Sequence, residues 1–287
     1  MSESWRKDSV YQDGSLNYGR LALYAIMIFV AIIWGAPFIW MFVTSIKPDN
    51  EVFSYPPTWW PDEPTLEFYT RLFESFPMLQ WFRNSLIVAT ITTVLTLATN
   101  ILAAYPLARM RFRGRKIVLL IILSTFLLPG EILLVPLFLG MIKFKLANTY
   151  FSIAVPAAAN AFGVFLMTQF FLTIPVELEE AGRLDGCSRL GLLLRIFIPL
   201  SKPVIATVAI FTFVRSWNDF FWPLIISNTD ATRTVPVGLA VFVGRGLSMR
   251  FGVIMASAAA ATIPAVIFFL LLQRYFVRGI STTGLQG

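Results

Sequence analysis

The chain contains no histidine and only one cysteine, Cys187, among its 287 residues. Without imidazole there is no histidine acid–base catalysis, no Ser-His-Asp triad and no ordinary zinc site. A single thiol cannot close an internal disulfide, and with no partner it offers no Cys/His metal site. Charge is scarce as well. Only 14% of residues are charged, 57% are apolar and 27 are phenylalanine, far from the balance of a soluble domain. Also missing are a phosphate-binding loop of the form G-x-x-x-x-G-K-[ST] and a dinucleotide fingerprint. The sequence therefore predicts no catalytic residue, no metal and no cofactor bound by this chain, and any ATP-driven process would place hydrolysis on another subunit. No internal repeat stands out, which argues against transporter folds built from inverted halves.

What is present is a series of long apolar runs. A hydrocarbon core about 30 Å thick needs roughly 20 apolar residues per helix. Six stretches qualify, near Leu21 to Ile46, Asn84 to Leu107, Ile117 to Met141, Thr149 to Thr173, Pro203 to Ser227 and Gly252 to Val277. Lipid offers the backbone no hydrogen-bond partner, so such runs form helices. The expected fold is all-α: a polytopic membrane bundle of six transmembrane helices. The polar residues 1–20 read as a tail before a retained first span, since about 25 apolar residues are too many for a cleaved signal peptide. Residues 21–83 then comprise the first helix and a long loop, 84–277 the membrane core with a polar loop at 175–201, and 278–287 a second tail.

Lys and Arg set the orientation. With the N-terminus inside, the inner segments hold fourteen and the outer ones eight, five of the fourteen lying in the short stretch Arg109, Arg111, Arg113, Arg115 and Lys116. This bias places both termini and the 175–201 loop in the cytoplasm. The net charge of +7 is thus mainly a topology signal. A nucleic-acid partner would need a basic face on a soluble module, which is not found here. The long outer loop carries Trp59 and Trp60 beside Pro56, Pro57 and Pro61, suited either to the headgroup interface or to docking an external protein. Within it, Leu66, Tyr69, Leu72 and Phe73 have the spacing of one helix face and predict a short surface helix.

The polar loop holds the densest pattern. Glu177 to Cys187 and the run to Pro199 read as two short amphipathic helices reversing at Gly186, which has no Cβ to oppose a positive φ. Ser188 is placed to cap the second helix and Pro199 to end it. Glutamates crowd the first turn, where the helix dipole favours them, and so charged an element must lie at the membrane surface.

Three charges fall inside predicted spans: Glu131, Arg215 and Asp219. Such residues usually face a bundle interior or a wet cavity and have partners. Arg215 and Asp219, four apart, read either as an ion pair or as part of a solute path. Around them lie Trp217, Asn218, Phe221, Trp222 and Pro223. Aromatic and amide groups together suit sugars, whose C–H faces stack on rings while their hydroxyls take hydrogen bonds, although both tryptophans equally suit packing. Glu131 follows Leu128-Pro129-Gly130 at a helix break, where it either meets freed amides or lines the path. Thr92, Thr96, Asn100 and Ala104 form a stripe that suits close helix packing.

The spacing Glu180-Ala181-Gly182, three residues, Gly186, nine residues, Ile196-Phe-Ile-Pro199 resembles the coupling loop of bacterial ABC importer permeases, Glu-Ala-Ala, three residues, Gly, nine residues, Ile-x-Leu-Pro. With Pro64 to Tyr69, Asn84-Ser-Leu, Ala103 to Arg109, Phe112 to Arg115, Phe162 to Leu166, Trp217-Asn-Asp219 and Trp222-Pro-Leu, the chain from about Gly19 onward is similar to the carbohydrate, maltose-type branch. The resemblance implies a permease subunit in a prokaryotic inner membrane, the alternative being an ion-coupled secondary carrier. It implies four further partners or sets of them: a second permease in a heterodimer, two ATPase subunits that bind ATP and Mg, an external solute-binding protein, and membrane lipid. It assigns ATPase coupling to Glu180, Ala181, Gly182, Asp185, Gly186, Ile196 and Pro199. Glu131, Trp217, Asn218, Asp219, Phe221 and Trp222 would then line the path. Two departures stand out. Gly182 replaces the usual second Ala, which should loosen the coupling helix slightly, and the tail Gly284 to Gly287 lacks the common Lys, leaving a tail contact with the ATPase unsupported.

Overall fold

The structure, a computed structural model, describes residues 11–12, 15–16, 18–244 and 251–283. The greater part of the 1–20 tail, Arg245, Arg250 and the Gly284–Gly287 tail lie outside the described residues. Apart from a pair of two-residue strands, Tyr11–Gln12 and Ser15–Leu16, the described chain is helical.

Helix α1 (Tyr18–Thr44), α3 (Met78–Arg109) and α14 (Phe251–Thr283) are long, and each contains a stretch apolar enough to cross a membrane. Three further pairs of helices are apolar enough together to cross a membrane but are bent at a short break. Residues 115–127 and 130–143 meet at 95°, 150–158 and 161–173 at 48°, and 189–200 and 202–217 at 79°. Six crossings result if each bent pair is one span, so the protein is a multi-pass membrane helix bundle.

Proline sets the breaks. In the third span, α4 (Arg115–Ser124) and α5 (Leu134–Lys143) are separated by two 3-10 turns that flank Leu128-Pro129. The fifth span, expected as one run from Pro203 to Ser227, is instead α11 (Lys202–Trp217) and α12 (Phe221–Ile226). In a continuous helix the Pro223 ring would strike the carbonyl of Asp219 and leave it without a donor, so the chain opens at 218–220. In α6 (Tyr150–Ala158), Pro156 likewise removes the donor for the Ser152 carbonyl, and the Trp222 indole supplies one at 2.9 Å.

One compact unit comprises residues 73–248 and 260–287. Its core forms where α3, α6 and α7 (Ala161–Thr173) meet α11, and α3 turns the stripe Thr92, Thr96, Asn100 and Ala104 fully inward. Glycine permits the closest approach: a Cβ on Gly163 would lie 1.8 Å from Asn100 Nδ2. Gly163→Ala should therefore cost about 1–3 kcal/mol by overpacking, read as a lower melting temperature of the purified protein. Adding Asn100→Ala should restore most of the loss, because the Asn100 amide is buried without a partner. At one end of α3, Asn84 donates to the carbonyls of Asp230 and Arg233 and accepts from Tyr150, while Ser85 accepts from the Val235 amide. These bonds tie the loop before α13 (Val235–Gly244) to α3 and α6.

The other unit comprises residues 1–72 and 249–259. Lys47 is buried in it, its ammonium donating to the Thr58 carbonyl and lying 4.7 Å from the Trp40 ring centre. Trp59 packs edge-on against Trp40. The expected surface helix is α2 (Glu67–Ser75), but its buried face differs: Phe68 and Leu72 are inside, Leu66 and Phe73 exposed. The helix begins only after Leu66, and Gly252 leaves room for the Phe68 ring, whose Cε2 stands 1.9 Å from where a Cβ would be.

Candidate functional site

Two places carry the polar groups that the sequence singles out. The first is the helical reversal after α7. Pro175 precedes α8 (Val176–Leu184), and Glu177 and Glu179 occupy its first turn. Its end is a Schellman turn: the Gly186 amide donates to the Arg183 carbonyl at 3.0 Å and the Cys187 amide to the Gly182 carbonyl at 2.9 Å. Gly186 sits at φ +80, the left-handed conformation this turn requires. Ser188 then caps α9 (Arg189–Leu192), accepting from the Gly191 amide at 3.1 Å.

Pro199 does not end the second helix, as its position had suggested. The chain passes through a π-turn, Leu193–Phe197, and continues as α10 (Ile198–Leu200) up to Ser201. The wider turn absorbs the missing proline amide. The break comes at Ser201, where Pro203 would strike the Pro199 carbonyl in an unbroken helix. Nor does Gly182 loosen the element. It is buried, and a Cβ there would lie 2.6 Å from Leu192 Cδ2 and 2.9 Å from Ile196 Cδ1, so the missing methyl lets α8 and α9 close together.

The reversal presents Glu180, Ala181, Asp185, Gly186 and Pro199 to solvent, while Gly182 lies inside and Ile196 is half-buried. Large apolar side chains stand out among these polar groups, Leu184 at 89% exposure and Leu190 at 58%. Glu179, which sequence reasoning passed over, behaves differently from its neighbours. Its side chain is only 7% exposed and receives Arg183 Nη2 at 2.5 Å, with Arg109 Nη1 at 4.0 Å. No spacing within α8 marks its inward direction, since Arg183 is within one helical turn of both Glu179 and the exposed Glu180.

The second place is a cavity of about 570 Å³ at the break between α11 and α12. Thr92, Asn160, Arg215, Asn218, Asp219 and Phe221 line it. No ion pair found among the described residues joins Arg215 to Asp219, although the Asp219 carboxylate feels the Arg215 charge as well as the backbone amides of Trp222 and Phe220. Asn160 caps α7 by accepting from the Gly163 amide at 3.1 Å.

The two tryptophans are not at this cavity. Trp222 is buried with Val88, Ile153 and Ile226 and donates to Ser152. Trp217 is buried too, donating to the Ala261 carbonyl at 3.0 Å and packing beside Phe213. Both are structural because each is buried and its indole N–H answers a backbone carbonyl of another helix, Ser152 in α6 or Ala261 in α14. Glu131 lies in the exposed 3-10 turn Gly130–Leu133 and is not among the cavity's lining residues. No cluster of acidic or cysteine side chains able to hold a metal occurs among the described residues.

Comparison with known proteins shows what the chain is similar to. The family model for the binding-protein-dependent transport system inner membrane component matches residues 100–282. The arabinooligosaccharides transport system permease protein of Halalkalibacterium halodurans is 34% identical over 262 residues, covering 90% of this chain and 94% of that protein. The trehalose/maltose transport system permease protein of Thermococcus litoralis is also 34% identical, over 93% of this chain and 97% of its own. Among solved structures, a chain of a bacterial ABC transporter involved in the import of the acidic polysaccharide alginate superposes with TM-score 0.78 at 26% identity, over 93% of this chain and 99% of that one.

Proposed function

Because the chain belongs to the family of binding-protein-dependent transport system inner membrane components, we propose that it supplies half the solute path of an oligosaccharide importer driven by ATP. In this reading a second, different permease supplies the other half. Two separate ATPase subunits bind ATP and Mg, an external binding protein delivers the solute, and both termini are cytoplasmic. The observation that carries the coupling role is the rigid reversal at Gly186, which holds Glu180 and Asp185 outward beside the exposed Leu184. A charged helix with outward leucines is a poor solvent surface and a good docking surface. Asn218, Asp219 and Phe221 offer hydrogen bonds and a ring face to a hydroxyl-rich solute. Carbohydrate specificity draws on the relatives, whose names include arabinooligosaccharides, trehalose, maltose and alginate.

Transport then follows from two global states with different ligand preferences. ATP and the loaded binding protein favour one, their release the other, and the permeases move as rigid bodies between them. The decisive experiment reconstitutes the chain with its neighbouring second permease, ATPase and binding protein in proteoliposomes. ATP-dependent uptake of an arabino-oligosaccharide or maltodextrin, and none of an amino acid, is expected. Uptake driven by a proton or sodium gradient without ATP would overturn the reading in favour of a secondary carrier.

Cys187 provides the topological test, since it is the sole thiol and is partly exposed next to the turn. A membrane-impermeant maleimide should label it in inside-out vesicles and not in intact cells, and added ATPase subunit should protect it. Labelling from intact cells would reverse the orientation.

A further inference from the structure

We propose that Arg109 and Glu179 are positioning residues that join the coupling element to the membrane core, so that movement of α8 is passed to α3 and α7 together. The inference rests on the reading of α8 as the ATPase-contacting helix.

Arg109 is the last residue of α3, and its side chain is only 6% exposed. Its Nη2 donates to the Phe171 carbonyl at 2.6 Å, which also accepts from the Ile174 amide at 3.3 Å, and to the Ile174 carbonyl just past the end of α7. The guanidinium lies 5.1 Å from the centre of the Phe197 ring, which packs edge-on against Tyr105 of α3 and Phe171 of α7. One cation therefore meets the ends of two spans and the π-turn that follows α9. Its Nη1 faces Glu179 Oε2 across 4.0 Å.

A cap for α7 would require Arg109 alone. It would not require a buried carboxylate on α8, where Glu177 and Glu180, two and one residues away, are both exposed. Taking a carboxylate out of water is costly unless cations compensate it. Glu179 has two, Arg109 from α3 and Arg183 from its own helix. With Gly182 closed against Leu192 and Ile196, α8 has a polar and an apolar attachment, and the polar one leads directly into α3.

The test uses the complete transporter in proteoliposomes, with ATPase activity measured with and without loaded binding protein and uptake counted per ATP hydrolysed. Glu179→Gln keeps the shape and leaves both carbonyl contacts of Arg109 intact. It should retain subunit stoichiometry and basal ATPase within about twofold, while uptake per ATP falls about tenfold, within the usual range of coupling between sites. Arg109→Lys, which keeps the charge and loses the planar fork, should shift the same ratio. The double variant Arg109→Lys/Glu179→Gln should be no worse than the poorer single one. Unchanged uptake per ATP in Glu179→Gln overturns the inference. So does a loss of assembly, basal ATPase and uptake in equal proportion, the mark of a purely structural pair. A wild-type complex without ATP-dependent uptake would instead overturn the functional reading beneath it.

Discussion

Gly186→Val is expected to abolish ATP-driven uptake while the chain remains in the membrane. Space is not the obstacle, since no atom lies within 4 Å of the position a Cβ would take. The backbone is: φ +80 costs an ordinary L-residue about 1–2 kcal/mol and a β-branched one more. The cheapest relief is to open the turn, which releases the Gly186 and Cys187 amides from the Arg183 and Gly182 carbonyls and swings α8 away from α9. Gly186→Asn is the control, because Asn tolerates the left-handed region and should keep most uptake. Glu180→Lys reaches the same outcome by a different route. Its side chain is exposed and needs nothing from the fold, so the reversed charge should spare assembly and melting temperature while ATPase co-purification and uptake both fail. Normal transport by Glu180→Lys would remove α8 from the coupling role.

At the cavity, Phe221→Ala and Asp219→Asn should each lower uptake by about tenfold, the loss of about 1.4 kcal/mol of interaction, with assembly and basal ATPase preserved. Phe221 is largely exposed at the cavity, its only ring contact among the described residues being edge-on with the neighbouring Phe220, and Asp219 is not held by Arg215 within ion-pair distance. A carboxylate facing lipid at this depth would cost on the order of 3 kcal/mol, a cost that a wet cavity largely removes. Trp222→Ala should behave otherwise. Removing a buried indole that satisfies the Ser152 carbonyl should cost about 3–5 kcal/mol, so the loss appears as missing complex. Replacing Arg215 and Asp219 together by apolar residues of similar size would be nearly neutral for a buried structural pair. Here it is expected to lower uptake. Wild-type rates in both Phe221→Ala and Asp219→Asn would leave the cavity without a role in transport.

Local rules read the coupling element well because its determinants are local. Glycine suits the left-handed turn best, Ser188 reaches its own helix amides three residues on, and the exposed Glu180 is defined by what it does not touch. The same local rules misplaced Pro199 and Gly182. A π-turn absorbed the first, and the contact of α8 with Leu192 and Ile196 explained the second. Trp217 and Trp222 looked suited to a sugar site because side-chain chemistry is the same in a cavity wall and in a core. What separated them from Asn218 and Phe221 was burial against distant elements, Trp222 answering the Ser152 carbonyl that Pro156 leaves without a donor and Trp217 reaching the Ala261 carbonyl of α14.

Contiguous residues suffice to mark a six-span helical membrane protein with a polar loop turning at a glycine, because length, hydropathy and the αL requirement are local properties. Packing between elements is what buries Glu179 and leaves Glu180 outside, and what brings to it Arg109, 70 positions earlier. Burial of one carboxylate among three is set by the elements packed above it. Those elements come from distant parts of the chain, and no periodicity within α8 encodes them.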